Sequence, residues 1–191
     1  MRQANVHDKL LNAGLKCFLA QGYKGTTIED IADTARVFKG SFYNHFKSKE
    51  ALAIEAVNRY EHDVTASLSL LGPPSPLQRL RKHFEFLATV FKENEYHHGC
   101  LMNNFSAEIS HTGKPLRRAL DDAYIRWFTA NAEVIRQAQA EKEINAGYHA
   151  EQLARFLCNS WEGAANYMKV IQSRKPLNDF FEMTLSSNLL R

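Results

Sequence analysis

Residues 25–52 read GTTIEDIADTARVFKGSFYNHFKSKEAL, and the fold of the whole chain turns on this stretch. Two threonines precede Ile28, and Glu29 and Asp30 follow it. A hydroxyl in that place accepts from the unpaired amides of a first helical turn, and acids there complement the helix dipole. Thr26 or Thr27 is therefore expected to cap a short helix. Beyond Arg36 the helical pattern resumes at Lys39 and ends near His45. Ser48 then caps a long helix with Glu50 in its first turn, and that helix stops before the proline cluster at 73–76. Two short helices around a tight turn, the second opening on a cation and small residues, describe a helix-turn-helix.

The charge points the same way. The first fifty residues hold eight Lys/Arg against five acids, which is the whole of the net +3; the remainder is balanced. Residues 34–49 carry four Lys/Arg and His45 with no acid. Such a patch suits a polyanion, and a solvated lysine-rich face is the plainer account of the same charges. In a helix-turn-helix the second helix enters the major groove, where the base edges distinguish all four base pairs. Placed there, Lys39-Gly40-Ser41 allow close backbone approach, Ser41 and Asn44 reach base edges, and Lys39, Tyr43, His45 and Lys49 reach phosphates.

Outward from this motif, helical periodicity persists and no stretch alternates at period two, so the expected fold is all-α with about nine helices. The first covers residues 6–21 and is stopped by Gly22; the later ones cover about 77–93, 100–111, 115–141, 150–173 and 176–190. LGPPSP at 71–76 is the clearest linker. The division expected by role is 1–48 for DNA binding and 49–191 for sensing and dimerisation. At 191 residues and 45% hydrophobic, the chain has the length and composition to bury a real core. No apolar run nears the roughly 18 residues of a membrane span, and the first residues lack the pattern of a secretion signal. Three scattered cysteines with no C-x-x-C pair argue against a disulfide framework or a zinc site. A reducing cytoplasm is the expected setting.

Residues 22–52 resemble the DNA-binding signature of the TetR family of bacterial one-component repressors. The match lies in Gly22-Tyr23, Thr26-Thr27, Ile31-Ala32, Lys39-Gly40-Ser41-Phe42-Tyr43, His45-Phe46 and Lys49-Glu50-Ala51-Leu52. The resemblance adds Thr26 and Thr27 to the DNA-binding set. It implies that Phe42 and Phe46 pack the small core while Tyr43 and its polar neighbours touch the DNA backbone. It also implies a homodimer through the last two helices, reading a near-palindromic double-stranded operator. Those two helices carry Leu153, Phe156, Leu157, Phe180, Phe181, Met183 and Leu185, enough for such an interface or for the monomer's own core. Two positions depart from the pattern. Arg36 stands where glycine is usual and must take a backbone conformation that suits glycine better. Phe38 stands where Ser or Pro is usual and leaves the recognition helix without its side-chain cap.

EYHHGCLMNNFSAEIS, residues 95–110, sets Cys100 at the opening of a helix behind His97, His98 and Gly99. Unpaired amides and nearby cations there stabilise a thiolate, the reactive form of the thiol; a small packed residue is the ordinary alternative. Cys17 and Cys158 fall on apolar faces and read as packing. Residues 99–110 and 157–180 resemble the electrophile- and hypochlorite-sensing, N-ethylmaleimide-responsive subgroup of the same family. That resemblance implies that Cys100 and Lys169 are the sensor pair, the lysine amine attacking an oxidised Cys100 sulfur. Taken alone, Lys169 reads as a solvated lysine complementing the end of its helix. Tyr124 and Trp161 are the residues picked as pocket lining among the apolar side chains of the fifth to eighth helices.

The leading expectation is a non-enzymatic repressor, needing no cofactor, that releases DNA when a reactive small effector modifies Cys100. A noncovalent apolar inducer, with Cys100 only lining the pocket, is the alternative within the same fold. A thiol enzyme using His97 or His98 lacks a nucleophile elbow, a phosphate loop and a paired carboxylate. A metal sensor on HHGC would need two adjacent histidines to face one site on a helix.

Overall fold

The structure, a computed structural model, describes residues 5–70, 75–108 and 113–185. Among these, nine α-helices follow one another and no strand occurs. They are α1 (Val6–Gly25), α2 (Ile28–Ala35), α3 (Lys39–Tyr43), α4 (Lys49–Leu70), α5 (Pro76–Glu93), α6 (Leu101–Glu108), α7 (Lys114–Ala140), α8 (Ala150–Ile171) and α9 (Lys175–Phe180), the last running into a wider π-type turn over Phe181–Leu185. The linker residues 71–74, the expected tail of the sixth helix beyond 108 and the end of the last helix beyond 185 lie outside the described residues.

The caps explain these boundaries. Asn5 accepts from the Asp8 amide at 2.8 Å to start α1, and Gly22, at φ 74 and ψ 177, breaks the regular helix before a last turn to Gly25. Thr27, not Thr26, caps α2: its hydroxyl accepts from the Asp30 amide at 3.1 Å while Asp30 accepts from the Thr27 amide at 2.8 Å. Arg36 ends α2 in the left-handed region, at φ 56 and ψ 47, its N–H donating to the Ala32 and Asp33 carbonyls. Phe38 takes the N-cap place of α3 without any side-chain cap. Ser48 accepts from Ala51 at 3.1 Å ahead of α4. Ser75 caps α5, and the Glu143 carboxylate accepts from the Leu77 amide at 2.9 Å.

Packing divides the chain differently from the division by role. One compact unit is Met1–Glu61 with Cys100–Ala123, and the other is His62–Gly99 with Tyr124–Arg191. The boundaries fall inside α4, inside α7 and at the Gly99–Cys100 bond. The helix that Cys100 opens therefore packs with the DNA-reading helices.

In the first unit α1 packs on both α2 and α6. Leu10, Phe18, Ile31, Phe42, Leu52 and Phe105 are fully buried there, each such side chain stabilising by about 1.5–3 kcal/mol. Gly14 admits Leu52, whose Cδ2 occupies the space where a Cβ would stand. In the second unit Trp161 is enclosed by Phe84, Phe91, Phe180 and Phe181, with ring centroids 5.2, 5.7, 5.4 and 6.1 Å away. Of the two roles left open for the apolar residues of the last helices, Leu153, Leu157, Phe180, Phe181 and Leu185 take the second and are buried in the monomer's own core, whereas Phe156 and Met183 are exposed. No helix of the described residues is long and apolar enough to cross a membrane.

Candidate nucleic-acid interface and thiol site

Phe42 and Phe46 are buried in the small core, with Tyr43 exposed between them. His7, unremarked in the sequence, stacks on Phe46 with centroids 4.8 Å apart and reaches Glu55 at 3.2 Å. Asn44 and His45 are exposed and Ser41 is half-buried. Gly40 has nothing within 4 Å of where a Cβ would stand, so its face of α3 is open. Lys39 is exposed and pairs with Glu29 at 2.5 Å, which raises its pKa. Arg36 and Lys47 are exposed as well.

Two residues expected at the DNA face are turned inward. Thr26 is fully buried, and its hydroxyl donates to the Gly22 carbonyl at 2.7 Å. The Lys49 ammonium donates to the Tyr23 and Thr26 carbonyls, both at 2.7 Å, and sits 4.5 Å from the centre of the Tyr23 ring. Burial pushes its pKa down, while the Glu108 and Asp30 carboxylates hold it up. Both side chains bind the last turn of α1 and the residue that follows it. Thr27 is exposed, and its hydroxyl also meets the Asp30 carboxylate at 2.7 Å.

That same segment receives a residue the sequence did not single out. Glu108, at the end of α6, accepts from the Tyr23 amide at 3.2 Å and the Lys24 amide at 2.7 Å. A Cβ on Gly22 would overlap the Glu108 Oε1. Nothing local in the sequence signals this, because the partners are more than eighty residues apart. Phe105, one turn earlier, packs edge-on against Phe18 at 5.2 Å and Tyr23 at 5.6 Å. The far end of the helix that Cys100 opens is thus tied by packing and by a carboxylate to the entry of the helix-turn-helix.

Cys100 itself is 5% exposed, and its carbonyl accepts from the Asn104 amide at 3.0 Å, which makes it the N-cap residue of α6. The loop before it contains two successive non-glycine residues in the left-handed region, Glu95 at φ 51 and Tyr96 at φ 62; such conformations cost about 1–3 kcal/mol each. The exposed His97 takes its Nδ1 to the Glu95 carbonyl at 3.0 Å and its Nε2 to the Gln172 amide nitrogen at 3.3 Å. Lys169 lies along Gly99: its Cδ, Cε and Nζ are 3.2, 3.3 and 3.5 Å from where a Cβ would stand. The end of α8 therefore holds the two residues that flank His98, and Cys100 comes next in the chain.

Of the two residues picked as pocket lining, Trp161 is 1% exposed within its ring of aromatics, and Tyr124 is half-buried, tilted against Phe128 at 5.7 Å. The second unit also holds a buried polar chain. Trp127 Nε1–H donates to His83 Nε2 at 3.1 Å; His83 Nδ1 meets Ser67 Oγ at 2.6 Å; Ser67 donates to the Val64 carbonyl at 2.7 Å. These partners put the proton of a neutral imidazole on Nδ1, and burial lowers the His83 pKa to about 3. Cys158 is buried, and burial together with Glu162 pushes its thiol well above the ordinary range. Cys17 is buried with its Sγ 3.4 Å from the Thr34 hydroxyl. Among the described residues no three His, Cys, Asp or Glu side chains gather to hold a metal ion.

Comparison with known proteins agrees with this architecture. Residues 10–56 match the tetR family of bacterial regulatory proteins, and residues 76–184 match the tetracyclin repressor-like C-terminal domain. The chain is 31% identical to the transcriptional repressor DhaR of Mycobacterium sp. (strain GP1), over 99% of this chain and 95% of that protein. It is 25% identical to the transcriptional repressor NemR of Escherichia coli (strain K12), over 92% and 89% of the two chains. The crystal structure of regulatory protein TetR from Rhodobacter sphaeroides superposes with a TM-score of 0.89 at 28% identity, covering 96% of this chain and 98% of that one. Regulators of this kind bind operator DNA and function as dimers. The chain belongs to the TetR family: it is a DNA-binding transcriptional repressor, not an enzyme.

Proposed function

We propose that this repressor releases its operator when a small electrophile or oxidant modifies Cys100, with Lys169 completing the switch. The observation that supports it most is the position of Cys100 at the head of α6, whose other end carries Glu108 to the Tyr23 and Lys24 amides. A change at Cys100 bears on a helix anchored to the DNA-reading motif, and only a difference in free energy between the DNA-bound and DNA-free states can act as a switch. The Lys169 side chain along Gly99 supports the second half of the reading.

The chemistry balances without a cofactor. Hypochlorous acid oxidises the Cys100 thiolate to a sulfenic acid and is itself reduced to chloride. The neutral amine of Lys169 then attacks the sulfur; an S–N bond forms, and the oxygen leaves as water. A maleimide instead adds the sulfur to its double bond and takes up one proton. A thiol only 5% exposed favours small neutral reagents, and a reducing cytoplasm keeps it as the thiol between events.

In the same reading the dimer forms through α8 and α9. Phe156, Tyr167 and Val170 stand exposed at helical spacing on α8, with Met183 beyond α9 and open space at Gly163. The paired recognition helices read a near-palindromic operator, with Ser41 and Asn44 on base edges and Tyr43, His45 and Lys39 on phosphates. Lys39 exchanges Glu29 for the DNA as it binds.

The burial of Cys100 favours one second reading, a noncovalent apolar inducer with Cys100 only lining its pocket. DNA release titrated with N-ethylmaleimide and with hypochlorite separates the two. Wild type, Cys100→Ser and Lys169→Met are compared on a fragment from the protein's own upstream region. Loss of release in Cys100→Ser, with Cys17 and Cys158 intact, supports the thiol switch; unchanged release in that variant refutes it.

A further inference from the structure

Phe38 is 89% exposed, the highest among the exposed large apolar side chains of the described residues, and it stands at the N-cap of the recognition helix. Isolated apolar residues on a surface are common, but this one is costly where it sits. The N-cap favours Ser, Thr, Asp or Asn, and Phe38 makes no cap bond. Its backbone is also held firmly. The Arg36 amide donates to Ala32 and Asp33, the Val37 amide donates to Ala32 at 3.0 Å, and the Ser41 amide donates to the Phe38 carbonyl at 2.8 Å. The ring therefore projects from a fixed turn beside Lys39 and the open face of Gly40, within an acid-free run of sequence.

We infer that Phe38 is a specificity-determining residue that reads the 5-methyl group of one thymine in each operator half-site. The N-terminal residues of a recognition helix are the ones that meet base edges. The thymine methyl is the single apolar group displayed on those edges, and phenylalanine is among the side chains that contact it. A phenyl ring has no donor or acceptor. Against guanine, adenine or cytosine it strips water from N7, O6 or an amino group and offers nothing in return, so it selects by penalty as well as by contact. This inference rests on the family's DNA binding and is independent of what happens at Cys100.

The test begins with operators selected from random duplexes by the full-length protein, once as wild type and once as Phe38→Ser, without any electrophile. Each thymine of the wild-type operator is then replaced by deoxyuridine, which removes only the methyl. Wild type is expected to lose about fourfold in affinity per half-site at one symmetric thymine, and about fifteenfold when both half-sites are changed, the worth of a buried methyl group. Phe38→Ser is expected to keep its fold, bind a broader set of sequences and show no sensitivity to deoxyuridine at that position. Phe38→Leu, which retains an apolar contact, is expected to retain the preference. The inference fails if no thymine of the wild-type operator responds, or if Phe38→Ser responds at the same position as wild type.

Discussion

The Glu108 carboxylate at the end of α6 accepts hydrogen bonds from the Tyr23 and Lys24 amides at the broken end of α1, over a glycine whose Cβ position it overlaps. A carboxylate thus fills the place where α1 loses its own ladder, and it does so on the path from Cys100 to the helix-turn-helix. Removing it in Glu108→Ala leaves two amides short of an acceptor, and stability should fall by about 1.5–3 kcal/mol, read as a shift of the urea midpoint. Gly22→Ala should cost at least as much. It meets the same carboxylate and forces an alanine into a region at φ 74 and ψ 177 that is essentially restricted to glycine.

Lys49 is expected to act as a structural cation. With two carbonyls at 2.7 Å and the Tyr23 ring beneath it, Lys49→Met should lower stability by about 2 kcal/mol. The slope of log affinity against log salt should stay as in wild type. A lysine resting on a phosphate would instead flatten that slope by about 1 when replaced, and finding that change would return Lys49 to the DNA face.

Arg36 holds a left-handed conformation at φ 56, which costs a non-glycine residue about 1–2 kcal/mol. Arg36→Gly relieves this but loosens the unfolded chain by about 0.4–1 kcal/mol, so a net gain of about 0.5–1 kcal/mol is expected. Operator affinity should fall at the same time, because the variant has no exposed cation at that place beside the recognition helix. A thermal melt paired with a binding isotherm checks both signs; a destabilised variant would contradict the strain.

His83 makes the second unit sensitive to acid. The unfolded chain takes up a proton below the ordinary pKa of 6.5, whereas the native imidazole does so only near 3. Between those values the unfolded state binds more protons, and stability should fall by about 1.4 kcal/mol per pH unit on this account as pH drops. Above 6.5 the group contributes no slope. Comparing wild type with His83→Gln by urea unfolding at several pH values from 7 down to 4 isolates the contribution. Identical slopes would mean that His83 is solvated.

Cys158 should be the slowest of the three thiols to label. Burial and Glu162 keep it protonated, and only the thiolate reacts. Mass spectrometry of the native protein after brief exposure to N-ethylmaleimide should find Cys158 unmodified until the chain is unfolded.

The sequence alone determined the elements, because their signals act over three or four residues. The sequence marks Thr26 or Thr27 as the cap of α2, Gly22 as a helix stop, Arg36 as a residue in a glycine-like conformation and Phe38 as leaving α3 uncapped; the structure selects Thr27 and adds Asp30 as the other half of a capping box. The basic run without acids located the DNA-reading motif for the same reason. Direction and depth were a different matter. The same sequence letters fit a Lys49 facing a phosphate and a half-buried one donating to two carbonyls, or a Thr26 that touches DNA and one that ties down a turn. Leu157 and Phe156 are neighbours of equal apolarity, yet one is fully buried and the other half exposed. These choices belong to the tertiary structure, because they depend on which helix packs against which. The Glu108 hydrogen bonds, formed across more than eighty residues, carry no local trace, since a bond at that separation exists only once the chain between has folded.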